Sequence, residues 1–472
     1  MTRLLVSAAH KSSGKTTVAT GLCAALAARG LRVQPFKKGP DYIDPLWLGH
    51  AAGRPCVNLD FHTQDHDEIL AMAARYERHT DVTLVEGNKG LYDGVDLEGS
   101  NSNAALARLL ETPVVLVVDC RGMTRGIAPL LLGYQAFDAG IRIGGVILNR
   151  VGGARHESKL RAVTEHYTDI PVLGAVHEDP ALQIIERHLG LVPSNEHRRA
   201  GSQIRRLGEA IAAQVDLEAV LGIGADTRTP LPATPFPVAE AAAGPKVRIA
   251  IARDAAFGFY YHTDLEALEQ AGAQLCFFDA LHDTQLPEAD ALFIGGGFPE
   301  THLAALEANA PLRGAILDAI EAGLPAYAEC GGLMYLSRSI RWKDQCHTMV
   351  GVIPGDVVMH ERPQGRGYVR LEETGAGLWP LRDGEGKAAT FPAHEFHYSA
   401  LEPMGAETVY AYRVLRGHGV DGRHDGIVRH NLLASYSHQR HTRRNPWASR
   451  FVAFIRDRLQ SRSATPARSA AP

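Results

Sequence analysis

Arg3-Leu-Leu-Val-Ser-Ala-Ala-His-Lys-Ser-Ser-Gly-Lys-Thr-Thr17 decides how the first half of this chain folds. A short apolar run, Arg3 to Ser7, leads into a Ser/Gly/Lys turn, and an apolar stretch with helical character, Val18 to Ala28, follows at once. Strand, loop and helix in that order make a P-loop. Backbone N–H groups and the helix N-terminus cradle phosphates, Lys15 reaches the terminal phosphates, and the Thr16 hydroxyl is placed to bind Mg²⁺. Gly14, Lys15, Thr16 and Thr17 form an intact motif tail, whereas Ala9 stands in place of the first glycine. The alternative, a Ser/Gly loop with incidental lysines, fits the flanking strand and helix poorly.

Working outward, Val33-Gln-Pro-Phe-Lys-Lys-Gly-Pro-Asp-Tyr-Ile-Asp-Pro45 reads as a second strand running into a turn dense in charge. Phosphoryl transfer needs cations around the spreading charge and carboxylates to hold metal, and this turn offers both kinds of group. Val82-Thr-Leu-Val-Glu86 is a third strand, and its terminal Glu86 is placed as a Mg²⁺ ligand, an ordinary strand-end carboxylate being the bland alternative. Pro113 to Asp119 and Ile143 to Asn149 are nearly continuous apolar runs, the pattern of a parallel sheet covered on both faces.

The second half carries different chemistry in Tyr327-Ala-Glu-Cys-Gly-Gly-Leu-Met-Tyr-Leu336. A cysteine at the end of an apolar run, followed by two glycines and a helix-like stretch, has the form of a nucleophile elbow. A helix N-terminus there is expected to lower the thiol pKa. Gly331 allows the turn and offers its N–H to an oxyanion, and Gly296 and Gly297, after the apolar run Ala291 to Ile294, supply a second such segment. Taken alone, Cys330 would read as a buried core thiol. The glycines and the remote His438, in Ala434-Ser-Tyr-Ser-His438, argue for a nucleophile and its base. Glu395 and His397 share one face of a probable strand, and either line the site or satisfy each other at a surface.

These segments resemble the cobyrinate a,c-diamide synthase family, tetrapyrrole amide synthetases fused to a class I glutamine amidotransferase domain. The elbow around Cys330, the histidine segment and Phe36-Lys-Lys-Gly-Pro-Asp-Tyr-Ile-Asp-Pro45 carry the likeness, with Arg187 to Pro193 as a further marker. The resemblance implies an α/β fold. A dethiobiotin-synthetase-like P-loop domain with a parallel sheet would precede a flavodoxin-like amidotransferase domain. It implies that Cys330 attacks the glutamine amide with His438 as base, and that Lys37 stabilises the transferring phosphoryl group. Asp41, Asp44, Glu86 and Thr16 would approach Mg²⁺, and Asn149 would read the nucleotide base. The substrates implied are ATP, glutamine and a tetrapyrrole acid amidated at its a and c acetate side chains. Two features depart from the family. Asn88-Lys89 replaces residues more often hydrophobic, which brings sirohaem forward as an acceptor, with nickel sirohydrochlorin as another. Arg440 stands where the family usually has a second histidine. A partitioning or regulatory P-loop ATPase is the reading from another class, but Lys11, four residues before Lys15, is out of register for it.

Length and composition agree. A chain of 472 residues, 45% hydrophobic, is long enough for two cores. The expected division is a synthetase domain over 1–228, a Pro/Ala-rich linker over 229–245, an amidotransferase domain over 246–459 and a disordered tail over 460–472. A net charge of −4 without a long basic stripe argues against nucleic acid, and the run Arg440 to Arg444 reads as a solvated face. Six cysteines without C-x-x-C spacing suit a reducing cytoplasm, and no run approaches the length of a membrane helix. A homodimer is compatible with all of this.

Overall fold

The computed structural model describes residues 2–187, 190–196, 199–225, 231, 244–402, 404–405 and 407–464. The chain divides into two compact units, 1–236 and 237–472. Most of the expected linker, 229–230 and 232–243, lies outside the described residues, as does the expected tail beyond 464 and part of the Arg187 to Pro193 marker.

In the first unit seven strands form one wholly parallel sheet. They are β1 (Thr2–Ala8), β2 (Val33–Lys38), β3 (Val57–Leu59), β4 (Val82–Glu86), β5 (Val114–Asp119), β6 (Ile143–Val151) and β7 (Val172–His177), in the order β3-β2-β4-β1-β5-β6-β7. Alternate residues of each strand feed opposite cores. Leu4, Val6, Val115 and Val117 join one cluster, and Leu5, Leu116 and Val118 the other. Both strand faces are therefore buried, at roughly 1.5–3 kcal/mol for each fully buried Val or Leu. That explains the unbroken apolar runs.

Helix α1 (Lys15–Ala28) starts at the P-loop, α2 (Ile43–Ala52) follows the charged turn, and α3 (Ala200–Gln214) packs on α1. Small residues allow that last contact: a Cβ on Gly208 would come within 2.9 Å of the Ala24 Cβ, and one on Gly21 within 2.4 Å of Ile211.

The second unit is built on a nine-stranded sheet. Its strands are β8 (Val247–Ala252), β10 (Ala273–Phe278), β11 (Ala291–Ile294), β13 (Ala326–Glu329), β14 (Gly365–Glu373), β15 (Thr390–His397), β16 (Val409–Arg416), β17 (His424–Arg429) and β18 (Leu432–Ser435). The order is β10-β8-β11-β13-β18-β17-β16-β14-β15. The first five are parallel, and the rest extend the sheet with antiparallel pairs. Outside it, β9 (Phe257–Phe259) pairs with the two-residue β12 (Gly296–Gly297). The elbow opens helix α4 (Gly331–Leu336), and the chain closes with α5 (Trp447–Ala464), whose Trp447 and Phe451 pack on Tyr327.

Two expectations need correction. Helix α5 runs to Ala464, past the expected boundary at 459, because no proline or glycine interrupts it before Pro466. Arg440 is not on a solvated face: it is 1% exposed and stacks over the Tyr261 ring at 5.0 Å, leaving Arg443 and Arg444 outside.

Candidate active sites

The P-loop site gathers the C-terminal ends of the parallel strands, where a doubly wound sheet binds ligands. Gly14 caps α1 at φ 89°, a conformation open to glycine, and a Cβ there would lie 2.2 Å from Asn149 Nδ2. That amide donates to the Ser13 carbonyl at 2.8 Å, so Asn149 braces the loop from β6. Gly14, Thr17 and Asn149 line one cavity together with Val176, Asp179 and Leu182.

Thr16 Oγ1 donates to Glu86 Oε1 at 2.7 Å and reaches Asp44 Oδ2 at 3.3 Å. The buried Lys37 ammonium sits 2.5 Å from Asp44 Oδ2, 3.2 Å from Glu86 Oε1 and 3.9 Å from Asp41 Oδ2. Burial opposes its charge, but Asp44, Glu86 and Asp41 together hold it above the ordinary lysine range. Burial also raises the Glu86 carboxyl, against the pull of Lys37. Asp41 stands a step further out: its Oδ1 accepts the N–H groups of Ile43 and Asp44, and burial, with Asp44 beside it, pushes it up to about 7.

Lys15 donates to the Lys89 carbonyl at 2.5 Å, and burial pulls its ammonium down to about 8 despite Glu86. Lys38 reaches Asn88 Oδ1 at 3.0 Å. Lys89 holds φ 42°, and the Asn103 amide secures the loop by donating to the Asn88 and Gly90 carbonyls. Sequence reasoning missed Asn103. It also missed Arg150, which bridges the Ser12 carbonyl at 2.9 Å and Asp119 Oδ2 at 2.7 Å. A single polar residue in a helix or at a strand end carries no signal of such a duty.

The residues fit a divalent cation. Thr16, Asp44 and Glu86 present an all-oxygen donor set, and Glu86 Oε2 is buried without a hydrogen-bond partner among the described residues.

In the second unit Cys330 links β13 to α4 at φ 47° and ψ −102°, a strained position for a non-glycine residue and the geometry of an elbow. Its N–H bonds the Ser435 carbonyl at 2.7 Å. The glycines permit close approach. A Cβ on Gly332 would fall 2.2 Å from the Ile294 carbonyl oxygen, and one on Gly331 would lie 3.0 Å from the Gly297 nitrogen, so these two backbones converge. A Cβ on Gly296 would strike His438 Cε1 at 2.5 Å, which places the imidazole directly over that glycine.

His438 pairs its backbone with His394, stacks on that ring at 4.9 Å, and turns Nδ1 toward Glu329 Oε2 at 3.4 Å. The thiol is not lowered as the helix N-terminus suggested. Burial, with the Glu300 and Glu329 carboxylates, raises it, against the Gly331 N–H alone from a helix of six residues.

Glu395 and His397 lie in the interior rather than at a surface, their side chains 3.7 Å apart without a hydrogen bond between them: His397 Nδ1 bonds the Ser399 carbonyl at 2.7 Å, and Glu395 accepts the His418 and Gly419 N–H groups. Sequence reasoning missed Glu329 and His394 as neighbours of His438. Strand alternation puts Glu329 and Cys330 on opposite faces, and the elbow cancels that alternation.

A P-loop nucleotide-binding unit and a thiol-elbow unit in one chain define a glutamine-dependent synthetase class. Residues 5–192 match the CobQ/CobB/MinD/ParA nucleotide binding domain and residues 248–446 the CobB/CobQ-like glutamine amidotransferase domain. A cobyrinate a,c-diamide synthase from Magnetococcus marinus is 46% identical over 97% of both chains. Proteins of the same name from Methanosarcina acetivorans (40%, 92% of each chain) and Listeria monocytogenes serotype 4b (39%, 93% of this chain and 96% of that one) are also similar. The chain belongs to the cobyrinate a,c-diamide synthase family, ATP-dependent ligases that draw amide nitrogen from glutamine. No helix among the described residues is long and apolar enough to cross a membrane.

Proposed function

We propose that this chain amidates the a and c acetate side chains of cobyrinate, using ATP and glutamine. The acceptor carboxylate attacks the γ-phosphorus of ATP, giving an acyl phosphate and ADP. Ammonia then attacks the acyl carbon, phosphate departs, and the nitrogen loses its proton to leave the amide. Lys15 and the loop N–H groups hold the phosphates. Lys37 places a buried positive charge where negative charge spreads, and Asn149, whose amide braces the loop, would read the base. Thr16, Asp44 and Glu86 would hold Mg²⁺, with Asp41 supporting Asp44 through its backbone. The ion would neutralise phosphate charge.

In the second unit Cys330 attacks the glutamine carboxamide and yields its proton to His438. The N–H groups of Gly297 and Gly331, with Gly296 giving the ring room, stabilise the oxyanion. Ammonia leaves with that proton, and water hydrolyses the thioester to glutamate.

One observation carries this reading: both reactive constellations occur in a chain that aligns end to end with relatives of that name. Sirohaem stays the alternative acceptor brought forward by Asn88 and Lys89; in the structure Asn88 is engaged by Lys38 and Lys89 offers its carbonyl to Lys15. Hydroxylamine tests the intermediate. With cobyrinate and ATP but no nitrogen donor it should trap a hydroxamate, and ADP release without hydroxamate would rule the acyl phosphate out.

A further inference from the structure

Glu329 ends β13, immediately before the elbow. Its Oε1 accepts the Tyr327 hydroxyl at 2.5 Å and the Gln439 N–H at 2.8 Å. Those two donors orient the carboxylate, and the second belongs to the residue after His438, so one group holds both the backbone and the ring of that segment. Its Oε2 lies 3.4 Å from His438 Nδ1, and both side chains are almost fully buried, at 4% and 3% exposure. Apo active sites commonly show such contacts slightly long, tightening when substrate arrives.

We propose that Glu329 is the positioning residue of the glutaminase site, holding the proton of His438 on Nδ1 and leaving Nε2 to act as base toward Cys330. The inference rests on the reading of Cys330 and His438 given above. In the first step the thiol proton moves to Nε2 while the sulfur lone pair bonds to the carboxamide carbon. The imidazolium so formed lies beside the Glu329 carboxylate, which stabilises its charge. The same proton leaves with the departing nitrogen, and the ring returns to its starting tautomer.

Burial gives this role its weight. In the absence of substrate the Cys330 thiol is held in its neutral form by burial and by the Glu300 and Glu329 carboxylates, so attack requires a competent base. The titratable groups in contact with His438 are Glu329 on β13 and His394 on β15, whose Nδ1 meets the Tyr261 hydroxyl at 3.4 Å. An imidazole neighbour brings no negative charge to offset an imidazolium, and the Glu329 carboxylate does.

The test is Glu329→Gln in the full chain. The amide oxygen still accepts from Tyr327 and Gln439, while the charge facing Nδ1 is lost. Glutamine hydrolysis and ammonium-dependent ADP release are measured across pH with cobyrinate and ATP present. The expected result is a fall in glutaminase kcat/KM on the order of 100-fold. Ammonium-dependent turnover should be unchanged, and Glu329→Asp should recover part of the loss.

A loss under about threefold would overturn the role. So would equal loss of both activities, which marks a structural defect. Cys330→Ala, assayed in parallel, separates the two levels. If it retains glutaminase activity, the reading of the whole site falls, whereas a dead Cys330→Ala beside a normal Glu329→Gln defeats only the role of Glu329.

Discussion

The Thr16 hydroxyl donates to Glu86 Oε1 at 2.7 Å, tying the first turn of α1 to the end of β4. Through that bond the phosphate loop and the strand-end carboxylate form one site, and Lys37 closes it from β2.

Lys15→Ala and Glu86→Gln should each lower amide synthesis about 100-fold or more, with glutamine or with ammonium, since neither variant can form the acyl phosphate efficiently. Glutaminase activity should survive in part. Substrate-dependent ADP release is the readout, and near-normal release in both variants would show that this loop is not the working ATP site.

Cys330→Ala should behave in the opposite way. It should lose glutamine-dependent synthesis and still make amide from high ammonium, because the thiol serves only to release ammonia. Equal loss with both donors in a folded variant would remove Cys330 from that role.

Nucleotide binding should take up protons in mildly alkaline buffer. Free Lys15 is pulled down to about 8, so above that pH it is increasingly neutral, and phosphate beside it favours the charged form. Calorimetry near pH 8.5 in buffers of different ionisation enthalpy should therefore show uptake, with little at pH 6.5, where Lys15 is already charged. Uptake that persists in Lys15→Ala would assign the proton elsewhere.

Gly296→Ala should cripple glutamine hydrolysis and spare ammonium-dependent synthesis, since the added methyl would meet His438 Cε1 at 2.5 Å. The displacement acts on the base alone. Comparing the two activities in one preparation decides it, and unaltered glutaminase kinetics would mean that His438 does not need its observed place.

The chemistry-bearing segments were legible because they lie where local pattern and fold coincide. β4 and β11 match the apolar runs residue for residue, since buried parallel strands leave no polar face to confuse the pattern. The antiparallel extension was less distinct: β14 mixes buried and exposed residues, β16 buries only two of its eight, and both carry arginines that also suit loops. Arg440 looked like one of a charged run, and its burial depends on Tyr261, far away in sequence. Glu329 was in plain view beside Cys330, but its partnership with His438 exists only because the chain turns sharply at the elbow.

The central claim is that both sites serve one reaction on a corrin polycarboxylate. The direct measurement offers cobyrinate, sirohaem and nickel sirohydrochlorin in parallel with glutamine and ATP, following product mass and ADP together. Each amide formed removes one negative charge and about one mass unit. The account predicts that cobyrinate gains two amides with matching ADP release, both lost in Lys15→Ala. No change in any of the three rings by folded enzyme, or ATP hydrolysis that responds to DNA or a protein instead, would contradict it.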